Sequence, residues 1–355
     1  MSTPEPTIPG HGAAALPEVT VATYNAELRD ADGFLGDRAS NRAFRSILED
    51  WRERLRKVGE DPLGDGPNDL SKRKLDTLFA EGDVEAAGVI HSAIEEFAGE
   101  LATVCRRLLR LNAWRDVAAI VVGGGFRASR IGEIAIGRAL ALLKADGRPI
   151  ELRPIRQHPD EAGLIGCAHL APAWIFSGHD SIIGVDIGGT NIRAGIVELN
   201  MDRHGRLGDA CVQATRQWRH GDEEPKRDDA VERLSGMLLD LISAAEANGC
   251  KLAPFIGMGC PGLIADDGSI DRGGQNLPGD WESPGFNLPQ RIRSAVPSIG
   301  GRDTIVLMHN DAVVQGLSEA PWMQQVTHWG VLTIGTGLGN ACFVNRSIAD
   351  EHADR

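Results

Sequence analysis

Asp186-Ile-Gly-Gly-Thr-Asn-Ile-Arg193 lies between two apolar runs, so it reads as a strand, a glycine turn and a returning strand. Such a hairpin can cradle phosphate. Gly188 and Gly189 let backbone N–H groups close in on anionic oxygens, Thr190 adds a hydroxyl donor, and Asp186 can hold Mg²⁺ directly or through water. A plain hairpin turn has the same local pattern. A second loop of this kind, Gly335-Thr336-Gly337-Leu338-Gly339, follows the apolar run Val331 to Ile334 and precedes a strand-like stretch, Asn340 to Val344. Its G-x-G-x-G spacing and the strand after it argue against a dinucleotide loop, and no G-x-x-x-x-G-K-[ST] stretch occurs anywhere. A third glycine run, Gly123-Gly124-Gly125, closes the apolar stretch Ala118 to Val122, as the end of a strand in an unrelated helical domain would also do. Asp311 comes just after the apolar run Thr304 to Met308, so its carboxylate should emerge at a strand end. The N-cap of a helix running towards Glu319 would look the same locally.

The elements that must position these groups alternate between strand and helix. Ile182 to Asp186, Arg193 to Glu198, Phe255 to Met258, Thr304 to Met308, Val331 to Ile334 and Asn340 to Val344 read as strands. Arg38 to Val58, Arg130 to Leu143, Glu161 to Leu170 and Asp229 to Asn248 read as helices, with Gly249 placed as a left-handed C-cap. Behind Asp83 as N-cap, Ile90, Ile94, Phe97, Leu101, Val104, Leu108 and Leu111 form one apolar stripe, which suits a buried domain helix better than a coiled-coil seam. The first 35 residues, rich in Pro, Gly and Ala, read as an irregular arm. This mixture implies an α/β protein.

Composition narrows the classes of function. A chain of 355 residues with 42% apolar content can fill two cores. With 37 Lys and Arg against 50 Asp and Glu, the net charge of -13 repels nucleic-acid phosphates. Six scattered cysteines without a C-x-x-C pair suggest reduced thiols, and no signal-peptide pattern or apolar run of bilayer-spanning length is present. A cytoplasmic enzyme is expected, with no membrane partner.

Five motifs in one order carry a specific resemblance. Gly184-Val-Asp-Ile-Gly-Gly-Thr-Asn-Ile-Arg193 is similar to the first phosphate motif of the ROK-family sugar kinases, and Thr333-Ile-Gly-Thr-Gly-Leu-Gly339 resembles the second. Between them, Gly259-Cys-Pro-Gly262, Gln275-Asn-Leu-Pro278 and Asn310-Asp-Ala312 resemble the sugar-binding turn, the sugar-contacting Asn and the catalytic Asn-Asp pair. The matched region covers roughly half of the chain. The resemblance implies a two-lobed actin-like ATPase (ribonuclease H-like) fold and ATP-dependent phosphorylation of a sugar hydroxyl, hexokinase- or glucokinase-like. Asp311 would accept the hydroxyl proton, Gly262, Asn276 and Asn310 would meet the sugar, and ATP with Mg²⁺ would be the cofactor pair. Asn276 on local grounds also suits a surface turn. Arg193 could stand near the phosphates or pair with a surface carboxylate.

The order of the halves departs from the family. There, a mostly helical large domain follows the second phosphate loop, whereas here its counterparts stand in front: a long helix, Ile120-Val-Val-Gly-Gly-Gly125, resembling the adenosine-side motif, and Glu161-Ala-Gly-Leu-Ile-Gly-Cys-Ala168, resembling the last helix. Single copies in rotated order imply a circular permutation, with the usual termini joined around Pro172 to Ser181. The expected division is an arm over 1–35, a larger helix-rich lobe from 36–155 and 310–355, and a smaller lobe from 156–309. Pairing of halves between two chains, and a homodimer, fit the same pattern.

Two departures bear on selectivity. Family members often carry Glu-x-Gly-His after the second phosphate loop and a cysteine-rich zinc site. Glu351-His352 is too compact for the former, Gly10-His11-Gly12 lacks the glutamate, and a zinc site from His11, His352 and scattered cysteines is not expected. The rival reading, a sugar-sensing or regulatory protein of the same fold, is opposed by the acidic balance, the lack of a basic recognition helix in the first 80 residues and the presence of Asp311. A catalytically idle fold is a third reading.

Overall fold

The computed structural model describes residues 8–31, 33–64, 70–202 and 205–346. Glu351 and His352 lie outside the described residues. In chain order, the strands that matter here are β1 (Val19–Tyr24), β2 (Ala119–Gly123), β3 (Glu151–Pro154), β4 (Ser181–Ile187), β5 (Ile192–Glu198), β6 (Cys211–Trp218), β7 (Leu252–Cys260), β8 (Ile305–Asn310), β9 (His328–Ile334) and β10 (Leu338–Asn345). The helices are α1 (Asn41–Arg56), α2 (Lys72–Glu81), α3 (Val84–Leu108), α4 (Arg130–Ala145), α5 (Pro159–Gly166), α6 (Arg227–Ala247), α7 (Leu288–Ala295) and α8 (Asp311–Leu317). By their contacts the residues form two units. One comprises Met1–Asn25, Asp160–Thr327 and Asn340–Arg355, the other Ala26–Pro159 and His328–Gly339.

The first unit is built on a five-stranded sheet in the order β8-β7-β4-β5-β6. β4 pairs antiparallel with β5 and β5 with β6, whereas β4, β7 and β8 run parallel. This is the ribonuclease H-like order that the motifs imply, and the chain is α/β as expected. All seven residues of β4 and all nine of β7 are buried, which is why these segments read as unbroken apolar runs. β6 is the edge, and it blunts that edge with exposed Gln213, Arg216 and Gln217. α6 lays Val231, Leu234, Leu238, Leu241 and Ala245 into this core, and Gly249 follows with φ +74°. α5 and the 3-10 turn Cys167–Leu170 pack on β4.

The N-terminal segment is not the irregular arm expected of it. From Gly10 onwards it runs along β8: Met308 N–H donates to His11 Nδ1 at 3.1 Å, and Gly12 N–H donates to Met308 O at 3.0 Å. β1 then pairs antiparallel with β10, from Val19 opposite Asn345 to Tyr24 opposite Ala341. Its partner is more than 300 residues away in sequence, so nothing local announces the strand. The units are also bounded differently from the expected lobes. Residues 310–327 go with 160–309, because α8 starts directly on the end of β8 and packs over β7.

In the second unit, β9, β2 and β3 are parallel neighbours, with Trp329 opposite Ala119 and Ala119 opposite Glu151. α3 is a buried domain helix as expected: Asp83 caps it by accepting from Ala86 N–H at 2.7 Å, and Ile90, Ile94, Phe97, Leu101, Val104 and Leu108 are buried. Phe97 packs with Phe126 and Phe44, ring centroids 4.6 and 5.7 Å away, which anchors α1 and the turn after β2.

Candidate active site

The parallel strands of the first unit end together. Asp186 on β4 is in register with Gly259 on β7, and Gly259 with His309 on β8, so the ends of β4 and β8 stand two strand spacings apart, about 10 Å. Ligands in open α/β sheets collect at such carboxyl ends. Asp186 is 8% exposed, and its Oδ2 accepts from Arg193 Nη1 at 3.2 Å. Burial pushes its carboxyl upward against the Arg193 charge, which holds it down. Arg193 also reaches Asp160 Oδ1 at 2.6 Å, an exposed carboxylate, so the surface pairing expected of it coexists with the grip on Asp186.

Asp311 is the first residue of α8, and the N-cap is Asn310. Asn310 is fully buried, its Oδ1 accepting from Ala312 and Val313 N–H at 3.0 and 3.3 Å while Nδ2 donates to Gly262 O at 3.0 Å. Capping is thus assigned to Asn310, and the Asp311 side chain is not consumed by it. Burial first, and the negative charge of Asp186 second, push the Asp311 carboxyl up to about 7, against hydrogen bonds from nearby N–H groups and Asn310. The preceding His309 is buried and held neutral, its pKa pushed down to about 4 by that burial. Its Nε2 donates to Ala13 O at 3.2 Å, Asn310 N–H donates to its Nδ1 at 2.7 Å, and the ring of Tyr24 lies edge-on 5.1 Å away.

Of the other residues singled out from sequence, Gly262 has φ +107° and packs so closely that a Cβ would come within 2.7 Å of Arg272 O. Gly188 and Gly189 form the turn between β4 and β5, closed by Gly188 N–H to Asn191 O at 2.8 Å. Asn276 is exposed beside that turn, where a Cβ on Gly189 would meet Asn276 Cβ at 3.0 Å. The structure therefore brings Asp186, Gly188, Gly189, Thr190, Gly262, Asn276, Asn310 and Asp311 into one unit.

The remaining glycines belong to the second unit, where they are neighbours. Gly124, with φ +82°, lies so close to β9 that a Cβ would come within 2.5 Å of Ile334 O, the residue leading into Gly335, Thr336 and Gly337. Gly335 N–H donates to Gly337 O at 2.9 Å and Gly335 O accepts from Asn41 N–H at 3.0 Å. Lys72 Nζ donates to Gly125 O. Beside them opens a pocket lined by Asn41, Phe44, Arg45, Lys72, Phe126 and Ser129, among others.

No protein-family model matches the chain. Over 161 residues it is 29% identical to glucokinase of Thermotoga maritima, an alignment covering 44% of this chain and 43% of that enzyme. The chain is similar to glucokinase over that stretch and spans less than half the length of that enzyme. The resemblance to sugar kinases carried by the motifs is thereby borne out. Among solved structures, the chain is similar to a candidate sugar kinase from Cytophaga hutchinsonii (21% identity, 46% of this chain and 48% of that one, TM-score 0.36). It is also similar to a candidate N-acetylmannosamine kinase from Listeria monocytogenes (23%, 46% and 47%, TM-score 0.34) and to the ROK hexokinase of Thermus thermophilus (25%, 37% and 35%, TM-score 0.24). Each alignment covers less than half of either chain.

Mg²⁺ typically keeps several waters and takes one or two carboxylates plus substrate phosphate. Asp186 fits that role: Arg193 engages Oδ2, which leaves Oδ1 for a hydrated ion. Among the described residues, no three His, Cys, Asp or Glu gather into a metal cluster, and no helix is long and apolar enough to cross a membrane. Sequence reading missed Gly163 on α5, which packs onto Asp186, and His220, which touches the glycine turn; only the contact across the fold marks either one.

Proposed function

We propose that the protein phosphorylates a sugar hydroxyl with ATP as the donor, with Asp311 as the general base. The observation that carries this reading is the Asp311 carboxylate, at the end of β8 and released from capping by Asn310, with its pKa pushed up to about 7. A base at that value is substantially ionised near neutral pH and still accepts a proton readily. The sugar O–H passes its proton to the Asp311 carboxylate as its oxygen attacks the γ-phosphorus, and the β–γ bridging O–P bond breaks with its electron pair leaving on ADP. Asp186 would hold Mg²⁺, which once bound supplies positive charge against the phosphate oxygens. Gly188, Gly189 and Thr190 would donate to phosphate, Gly262 and Asn276 would face the sugar, and Asn310 would position the base. Gly335, Thr336 and Gly337, with Gly123, Gly124 and Gly125, are the nucleotide turns of the second unit. A hexose such as glucose, or a related aminosugar, is the proposed acceptor class, and the glucokinase relative supports the former.

We infer as well that the halves are circularly permuted. Two pairings support this: β9 lies parallel to β2, and the N-terminal β1 completes β10 as an antiparallel neighbour. The cytoplasm is the proposed compartment.

A coupled ADP-release assay over a panel of monosaccharides tests the activity. One sugar should stimulate ADP release strictly in the presence of Mg²⁺, and Asp311→Asn should lower kcat by roughly 10²–10⁴ while sugar affinity changes by about tenfold or less. Sugar binding without ADP release by the wild type would favour the sensing role. A folded, sugar-binding Asp311→Asn protein with near wild-type turnover would remove Asp311 as the base.

A further inference from the structure

The end of β6 and the turn after it grip the first glycine loop at three points. Gln217 Nε2 donates to Asn191 Oδ1 at 3.1 Å, the His220 ring Nε2 lies 2.8 Å from Gly188 O, and Gly221 N–H donates to Thr190 O at 3.1 Å. A carbonyl oxygen can only accept, so the His220 Nε2 carries a proton. His220 is 3% exposed, with the Trp218 ring 5.9 Å from it. Trp218 is fixed in turn: its Nε1 donates to Glu223 Oε1 at 3.0 Å, and the Arg233 guanidinium, paired with the same Glu223, lies 4.4 Å over its ring. The imidazole is therefore held from behind and spends its donor on the loop.

The consequence follows from peptide geometry. In a planar trans peptide, the carbonyl of one residue and the N–H of the next point in opposite directions. Holding Gly188 O towards His220 turns the Gly189 N–H to the far face of the loop, and holding Thr190 O towards Gly221 turns the Asn191 N–H the same way. We propose that His220 is a positioning residue for the phosphoryl donor, fixing the Gly188 carbonyl so that the Gly189 N–H is presented to a phosphate oxygen of the nucleotide. This rests on the reading of the protein as an ATP-dependent kinase. Without the bond the Gly188–Gly189 peptide is free to rotate, because glycine imposes little restraint of its own.

Two variants of the full chain test it. His220→Phe keeps an aromatic ring against Trp218 but cannot donate; His220→Gln places an amide N–H near the original Nε2. The measurements are kcat, the KM for ATP, the KM for the sugar, and ADP affinity by calorimetry. Loss of one neutral hydrogen bond predicts that His220→Phe weakens ADP binding and raises the KM for ATP about fivefold to tenfold, with sugar KM unchanged, and that His220→Gln returns both nucleotide values to within about twofold of wild type. Equal losses for sugar and nucleotide, or a fall in melting temperature with nucleotide parameters intact, would show His220 to be core packing only. If His220→Phe does not fold, His220→Asn, whose shorter amide falls short of Gly188 O, takes its place. A wild-type protein that binds ADP but phosphorylates no sugar overturns the kinase reading and leaves the ADP affinities to decide on His220. Absence of ADP binding overturns both.

Discussion

Ionising Asp311 puts a charge in a partly buried position and a second negative charge near Asp186, and both effects favour the neutral acid. The proposed role as general base needs the ionised form. The rate at subsaturating sugar should therefore rise about tenfold per pH unit below pH 7 and level off above it, and Asp311→Asn should lack that inflection. Stability runs the other way. A carboxyl whose folded pKa lies above its unfolded value of 3.8 contributes stability fully below about pH 4, and that contribution is lost as pH rises through about 7. The Asp311→Asn protein should thus melt above wild type at pH 8 by a few degrees, with the gap closing towards pH 4. The difference between the two curves reports Asp311 together with its coupling to Asp186. A wild-type profile flat from pH 5 to 8 would contradict the placement of the base. The motif residues were legible because glycine turns and a carboxylate at a strand end are local patterns. His220 was not, because its role depends on a contact with Gly188 across 32 positions of chain.

At the level of elements, the same distinction separates what could be read from what could not. β4, β7 and β9 announce themselves as apolar runs because parallel strands are buried on both faces, and α3 by its stripe behind Asp83. β3, only four residues long, and the solvent-facing β6 carry no such pattern. The packing of α5 on β4 is likewise invisible in one dimension, yet it decides where Asp186 stands. A Cβ on Gly163 would lie 2.7 Å from Asp186 Cγ and 2.8 Å from Oδ1, closer than real atoms come, so Gly163→Ala must displace that carboxylate. Alanine favours the helix itself by about 1 kcal/mol, which offsets part of the strain. The expected outcome is a loss of at least tenfold in kcat/KM with the melting temperature within a few degrees of wild type. Gly99→Ala on α3, with nothing within 4 Å of the new methyl, is the control that should leave activity unchanged. Wild-type activity in Gly163→Ala would mean that Asp186 has no metal or phosphate to hold.

For the molecule as a whole, the proposed circular permutation predicts where the chain tolerates being opened and closed. β1 and β10 are antiparallel neighbours with Val19 opposite Asn345, Arg346 N–H donates to Glu18 O at 3.0 Å, and its Nη1 reaches Leu16 O at 3.3 Å. Residue 346 thus lies one hairpin turn away from residue 18. At the other junction, Ser177, Gly178 and Asp180 are exposed, and Gly178 at φ +81° turns the chain from the 3-10 turn Ala173–Phe176 into β4. Exposed turns with few buried backbone bonds are where chains accept new ends, and adjacent ends accept a short link. A chain running from residue 179 to 346, through a flexible link to residue 8 and on to 178, keeps every strand pairing described above and restores the motif order of the sugar kinases. It should fold, melt within several degrees of the natural chain, and bind ADP with similar affinity. Opening the chain instead inside β7, where all nine residues are buried, should abolish folding and serves as the control. If the reordered chain fails to fold with links of several lengths while the natural order does fold, the junction at Pro172 to Ser181 is not where the family's termini were joined, and the permutation must be abandoned in favour of an independent origin for the two units.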